Sequence, residues 1–192
     1  VRRIKKNSKI RISAGYDDDY GNIFYGQVLH TQTYWEGVDK VTNITLGDSS
    51  TSYRRLRYSR SFGPGVTNDE ILRHLITRAG LGIGDFDTVK NPVYPHGVNV
   101  NGKLQDLINR YSKASGSRFY VNKMRAYVRP PNKGQQVGFK LDKDTGLIEI
   151  PEEIETEIDE KVYKGYSVRC LLNHQIDVDN IIQIKSKSAN GY

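Results

Sequence analysis

The chain has 192 residues, 36% of them apolar, enough for one large domain or two to three small ones with modest cores. Its apolar runs are only a few residues long, which excludes a membrane-spanning helix, and the basic stretch 1–9 leads into no apolar segment of the kind a secretory signal needs. The single cysteine, Cys170, excludes an internal disulfide framework and any multi-cysteine zinc site, and the net charge of +7 points to polyanions or charged assembly neighbours as partners.

The whole chain leans to β, with 13 tyrosines against one Trp and one Met, and residues 1–65 read as β. Residues 9–13 alternate polar and apolar, the pattern of a half-buried strand. A loop at 15–22 follows, then a β-branched and aromatic run at 23–34, a turn at Glu36-Gly37, an alternating run at 40–46 and a fourth strand at 53–62. Strands joined by short turns make antiparallel hairpins, and several in a row suggest a small barrel or sandwich.

The period changes over 66–130. Thr67-Asn68-Asp69-Glu70 is a capping box, and Ile71, Leu72, Leu75, Ile76 and Ala79 follow at helical spacing until Gly80. A Gly/Pro-rich connector runs to Asn101. A second helix spans 102–115 with Leu104, Leu107, Ile108 and Tyr111 on one face, stopped by Gly116. A hairpin over 118–121 and 125–128 turns near Asn122-Lys123. Two amphipathic helices against a small sheet form an α+β layer.

Pro130-Pro131-Asn132-Lys133-Gly134 is the clearest linker. Beyond it the chain returns to β at 137–141, 147–150, 166–172 and 181–184, with an acidic stretch at 151–161 whose only apolar residues are Ile154 and Ile158. That stretch reads as a solvated face or a partner-contacting edge. The domains are therefore 1–65, 66–132 and 133–192. The chain opens on Val1 and closes on Asn190-Gly191-Tyr192 just past a strand-like run, as expected of a fragment; a native C-terminus behind a processed start is the alternative. Charge follows the same division unevenly: residues 1–60 hold 11 basic and 6 acidic side chains, 61–130 hold 10 and 5, and 131–192 hold 8 and 11.

Chemistry is sparse. His30, His74, His96 and His174 have no paired spacing, and Cys170 with His174 lacks the further ligands zinc needs. Asp17-Asp18-Asp19 places Val28 where an EF-hand loop needs its glutamate, and Asp142-Lys143-Asp144-Thr145-Gly146 reads as a turn. Gly47-Asp48-Ser49-Ser50 resembles the serine block of some esterases but is equally an ordinary turn. No G-x-S-x-G motif accompanies it. Gly80-Leu81-Gly82-Ile83-Gly84 follows a helix instead of preceding one and lacks the Lys-Ser/Thr of a phosphate loop. No catalytic residue, cofactor site or metal site is expected.

One basic feature is stronger. Tyr53-Arg54-Arg55-Leu56-Arg57-Tyr58-Ser59-Arg60 sets four arginines among aromatics. As a strand it points Arg55, Arg57, Ser59 and Ser61 one way and Arg54, Leu56, Tyr58, Arg60 and Phe62 the other. Arg with Tyr suits a protein interface and also a nucleic-acid backbone with stacked bases. A solvated edge strand blunted by charge is the plain alternative. Arg54, Arg55, Arg57, Tyr58 and Arg60 are the candidate interface.

The order of segments carries a resemblance. Phe24-Tyr25-Gly26-Gln27-Val28 followed by 37–48 is similar to a strand pair of tailed-phage hub proteins. Ser59-Arg60-Ser61-Phe62, the helix 67–81, and Leu104-Gln105-Asp106-Leu107 leading to Ser117-Arg118-Phe119-Tyr120-Val121 resemble the segments that follow. Thr145-Gly146-Leu147-Ile148-Glu149-Ile150-Pro151, then 166–173, resembles their later barrel. The colinear set resembles the baseplate hub, or late-control-D-like, proteins of phage tails and phage-derived particles.

The resemblance implies a mainly β fold with an α+β insert: two small tail-tube-like antiparallel β-barrel parts flanking the two-helix layer. The first part would be incomplete at its N-terminus and the second at its C-terminus. It implies a structural protein of the virion baseplate, made in the host cytoplasm, that links the tail tube to the central spike or tip without catalysis in this segment. Its partners would be two further copies in a homotrimer, the tail tube protein, the spike or tip protein and other baseplate proteins. No membrane is involved, and nucleic acid enters only as DNA passing through the lumen. An OB-like nucleic-acid-binding protein is the alternative.

Overall fold

Local chemistry sets the helices. Ser50 caps a short helix, α1 (Thr51–Arg55), by accepting a hydrogen bond on Oγ from the Tyr53 amide at 3.0 Å. Thr67 and Glu70 cap α2 (Asn68–Arg78) reciprocally, the Thr67 amide donating to Glu70 Oε2 at 2.8 Å. Gly80, at φ +70°, ends that helix in the left-handed conformation. The third helix, α3 (Leu104–Ala114), begins without a side-chain cap. In the computed structural model, which describes residues 4–131, 133–158, 161–186 and 190–191, the chain is 51% strand and 15% helix. Among the described residues no sheet closes into a barrel. Residues 1–3 of the basic start, Asn132 of the expected linker, Asp159 and Glu160 of the acidic stretch, and Tyr192 lie outside the described residues.

Strands β1 (Lys9–Tyr16), β2 (Asp19–Glu36) and β3 (Asp39–Gly47) form one sheet in that order. The β2–β3 ladder runs from Gln27 opposite Gly47 to Glu36 opposite Asp39, leaving Gly37-Val38 as a two-residue turn. Only the first of these two has positive φ, at +63°, the pattern of a II′ hairpin.

The expected strand over 53–62 is broken. Its first three residues belong to α1, because the Ser50 cap turns the chain and Tyr53 is buried with its ring 5.8 Å from that of Phe119. The strand proper, β4 (Arg57–Phe62), begins after Leu56 has returned to an extended conformation. The expected connector over 81–101 is not structureless either. After the two-residue β5 (Val66–Thr67), which leads into α2, the connector contributes β6 (Gly82–Phe86), β7 (Val93–Tyr94) and β8 (Val98–Lys103). The last of these delays the start of the second helix from Gly102 to Leu104. At Gly84 a Cβ would come within 2.5 Å of the Tyr127 ring, so glycine there serves the close approach of two strands.

Strands β9 (Arg118–Asn122) and β10 (Arg125–Arg129) form the expected hairpin, turned by Lys123 and Met124, both at positive φ. The parallel partner of β10 is β6, giving the order β6-β10-β9. Antiparallel pairs β4–β8 and β5–β7 complete this part. The helices bury Ile71, Leu72, Leu75, Ile76, Leu104 and Ile108 against Val100, Ala126 and Val128 in one cluster. This is the α+β layer that the helical spacing implied.

After the linker come β11 (Gln135–Leu141), β12 (Glu152–Ile158), β13 (Lys161–Ser167), β14 (Asn180–Lys185) and β15 (Asn190–Gly191). The acidic stretch is thus a strand, paired antiparallel with β13. Of the strand expected at 147–150, only a bridge between Leu147 and Cys170 forms, and β13 ends at Ser167, short of the run expected to Leu172. The pairing β11–β14 is parallel, a departure from an all-antiparallel barrel part.

The chain divides into two compact units. The first is Val1–Ile12 with Phe24–Lys133, and the second is Ser13–Ile23 with Gly134–Tyr192. This division sharpens the charge asymmetry. The first unit holds 22 Lys and Arg against 8 Asp and Glu, a balance of +14. The second holds 7 against 14, a balance of −7.

Candidate interaction site

The five residues of the predicted interface fall into three settings. Arg54 and Arg55 occupy the last turn of α1, where their charge favours the helix C-terminus, and both are exposed. Arg57 stands on the outer face of the β4–β8 ribbon with Ser59 and Ser61. Register places Lys103, Asn101 and Asn99 opposite these three, and all six are exposed. This face carries no carboxylate, and its cations Arg57 and Lys103 are direct cross-strand neighbours, which costs stability.

Tyr58 and Arg60 lie on the other face of β4 and meet α2. The Tyr58 hydroxyl is 2.5 Å and Arg60 Nη1 is 3.2 Å from His74 Nε2. A guanidinium can only donate, so His74 Nε2 is the acceptor and the ring is neutral with its proton on Nδ1. Partial burial, then the charges of Arg60 and Arg78, hold the His74 pKa below its ordinary 6.5. Phe62 presents its ring edge-on to His74 at 5.6 Å, the Arg60 guanidinium lies 5.1 Å from the Phe62 ring, and that of Arg78 lies 5.9 Å from the Tyr58 ring. These are cation–π distances. Among the described residues no carboxylate comes within ion-pair distance of Arg54, Arg55, Arg57, Arg60 or Arg78. The result is a cationic, aromatic surface with guanidinium edges open to an oxyanion.

His74, Arg78 and Lys103 were not legible as members of this surface. His74 and Arg78 are four apart on the exposed face of α2, a spacing that makes them neighbours, but only the placement of β4 beside α2 gives them aromatic company. A second aromatic group appears on the β9–β10 pair. Tyr120 and Tyr127 stack at 4.9 Å with 3° between their planes, Arg118 and Arg129 lie 5.8 Å from the Tyr120 and Tyr127 rings respectively, and Arg129 pairs with Asp85 at 2.7 Å.

The counterpart of opposite sign is the β12–β13 hairpin. Glu152, Glu153, Glu155 and Glu157 are exposed. Glu155 pairs with Lys164 at 2.9 Å and Glu153 accepts a hydrogen bond from the Tyr166 hydroxyl at 3.4 Å. Among the described residues Glu152 and Glu157 have no ion pair.

The remaining sequence candidates have structural partners. Ser50 is buried, capping α1 and donating its hydroxyl to the Ala79 carbonyl. Asp17 takes positive φ in the turn between β1 and β2. The His174 imidazole packs where a Gly21 side chain would otherwise stand and has Asp19 Oδ1 3.5 Å from Nδ1. Asp142 accepts from the Asp144 and Thr145 amides and pairs with Lys140 at 2.6 Å. The Lys140 bond first, then the Thr145 bond, lower its pKa to about 2. Among the described residues no three His, Cys, Asp or Glu side chains converge as metal ligands.

No protein-family model matches the chain, and no curated protein matches it significantly.

Proposed function

We propose that this chain is a structural protein of a phage tail or phage-like particle, a baseplate hub that joins the tail tube to the central spike or tip. The colinear segments described above suggest it. The observation that carries it is the set of open sheets. Within one chain the strands lie in sheets of two or three, and β2 alone runs 18 residues. Open edges are an aggregation hazard unless a neighbour covers them. A ring of copies does so, and it also completes barrel parts that the single chain leaves open. On this reading each chain contributes two tail-tube-like barrel parts, and three chains form the ring in the virion baseplate. The tube protein, the spike or tip and other baseplate proteins bind its faces, and the candidate arginines contribute to those contacts. This segment does no chemistry.

Light scattering with negative-stain imaging of the full-length protein tests this. A three-fold ring with a central hole is expected. A monomer at every concentration, combined with absence of the protein from purified tails by mass spectrometry, overturns it.

A second reading is a nucleic-acid-binding protein of OB-like type. The unpaired arginines around Tyr58 and the stacked Tyr120–Tyr127 pair favour it, since cations with aromatic rings bind single strands. Its test is oligonucleotide affinity at two salt concentrations. Counterion release makes binding fall steeply with salt, and a flat response or no binding ends this reading.

A further inference from the structure

Two surfaces of opposite sign lie exposed on the same molecule. One is the face built by β4 and α2, where Arg60 and Arg78 have no carboxylate within ion-pair distance among the described residues. The other is the β12–β13 hairpin, with Glu152, Glu153 and Glu157 exposed. The first belongs to a unit of +14, the second to one of −7. Among the described residues Arg60 and Arg78 pair with no carboxylate and Glu152 and Glu157 with no cation, and a second copy supplies both complements.

The hairpin has a further reason to be covered. Its register puts Ile154 and Tyr163 on one face and Val162 and Tyr166 on the other. Their exposures are 45% and 54%, then 61% and 45%. A two-stranded ribbon with apolar side chains open on both faces is marginal in water and gains stability by docking. The receiving face has the composition of a binding hot spot, arginine and tyrosine around the half-buried His74. Its Arg60 is oriented by the His74 acceptor at 3.2 Å.

We propose that the β4–α2 face of one copy receives the acidic β12–β13 hairpin of a second copy, in a head-to-tail contact. This rests on the reading of the chain as part of an assembly. The contact uses two different patches, so it is heterologous and either closes into a ring or grows as a filament. Guanidinium–carboxylate pairs set its register, and the apolar residues of the hairpin supply the buried area.

The test is sedimentation and light scattering of the full chain at ~50 and ~500 mM salt, a range over which exposed charge pairs become screened. One variant reverses the basic face with Arg60→Glu and Arg78→Glu. A second reverses the hairpin with Glu152→Lys, Glu153→Lys and Glu157→Lys. The wild type is expected to associate at low salt, and each variant alone to associate at least ~10-fold more weakly. Mixing the two variants is expected to restore association with the two alternating, each acidic patch of one meeting a basic patch of the other, a result a misfolded variant cannot give. A chain carrying both reversals is expected to associate again like the wild type. The proposal is overturned by a wild type that stays monomeric, by association indifferent to both reversals, or by two variants that do not recover on mixing. It is also overturned if the basic reversal abolishes oligonucleotide binding while self-association is unchanged, which assigns the face to nucleic acid. A three-fold ring insensitive to charge reversal sinks this contact and leaves the hub. Charge-dependent association of a protein absent from purified tails keeps the contact and ends the hub reading.

Discussion

Around α2 and α3 the chain buries seven large aliphatic side chains almost completely, while between Ile148 and Ile181 it leaves Ile148, Ile150, Ile154, Leu171, Leu172 and Val178 more than 40% exposed. Both stretches contain similar apolar residues, yet only the first has layers to put on either side of them. Helices α2 and α3 lie over the sheet β6-β10-β9 and seal a core. The second has a two-stranded ribbon and a parallel pair, neither of which can cover the other side of its own apolar face. The contrast teaches that apolar composition becomes a core only where a second layer covers it. A part this open is suited to being finished by a neighbour.

The sharpest way to break the comparison is to cut equal amounts of side chain from each part. Leu75→Ala should cost about 2–5 kcal/mol in urea unfolding, as fully buried truncations do. Ile150→Ala should stay within about 0.5 kcal/mol for the unassembled chain. Equal losses would mean that the second unit has a core of its own.

A smaller effect comes from Asn68, fully buried, whose Nδ2 donates to the Tyr111 carbonyl at 2.9 Å and whose Oδ1 accepts from the Tyr94 hydroxyl at 3.1 Å. Asn68→Ala strands both partners and should lower stability by about 1–3 kcal/mol. An unchanged melting temperature would show that water replaces the amide.

Acid should then distinguish the units in sequence. The folded pKa of His74 is lowered, so its contribution is complete above 6.5 and is lost as pH falls below that value toward the folded pKa. The folded pKa of Asp142 is also lowered, so its contribution is complete above 3.8 and fades as pH falls toward about 2. Urea midpoints between pH 7.5 and 5 should therefore decline, and His74→Gln should flatten that decline without touching the one below pH 4, which Asp142→Asn should remove. The smallest effect is expected at the exposed Glu155–Lys164 pair. Glu155→Gln should change stability by about 0–1 kcal/mol, and less at high salt.

Much of the helical part was legible because its signals are local. Thr67 and Glu70 mark a helix start whatever surrounds them, and Leu104, Leu107, Ile108 and Tyr111 repeat at helical spacing. The short α1 was hidden because five residues give no period, and the β-prone Tyr53 belongs to it only because a serine three residues earlier caps the turn. Strands β6 and β8 were hidden among glycines whose use, such as the Tyr127 ring beside Gly84, depends on a partner distant in sequence. For the site, the arginines and Tyr58 were legible as composition. That Arg54 and Arg55 leave the strand, and that His74 and Arg78 join Tyr58 and Arg60, follows only once β4 is set beside α2.

The second unit is assembled from two pieces of the chain, residues 13–23 and everything from Gly134 onward, with 110 residues between them. During synthesis the ribosome makes the first piece, with exposed Tyr16 and Tyr20, before any of its companions. At ordinary elongation rates of about 5–20 residues per second, that piece waits roughly 5–20 seconds for the second to begin emerging. The helical layer is finished in that interval. The order of birth therefore completes the helical unit first and the strand-rich unit last, and a ribosome stall just after Lys133 would leave a chain with a sound core and an orphaned hairpin tip.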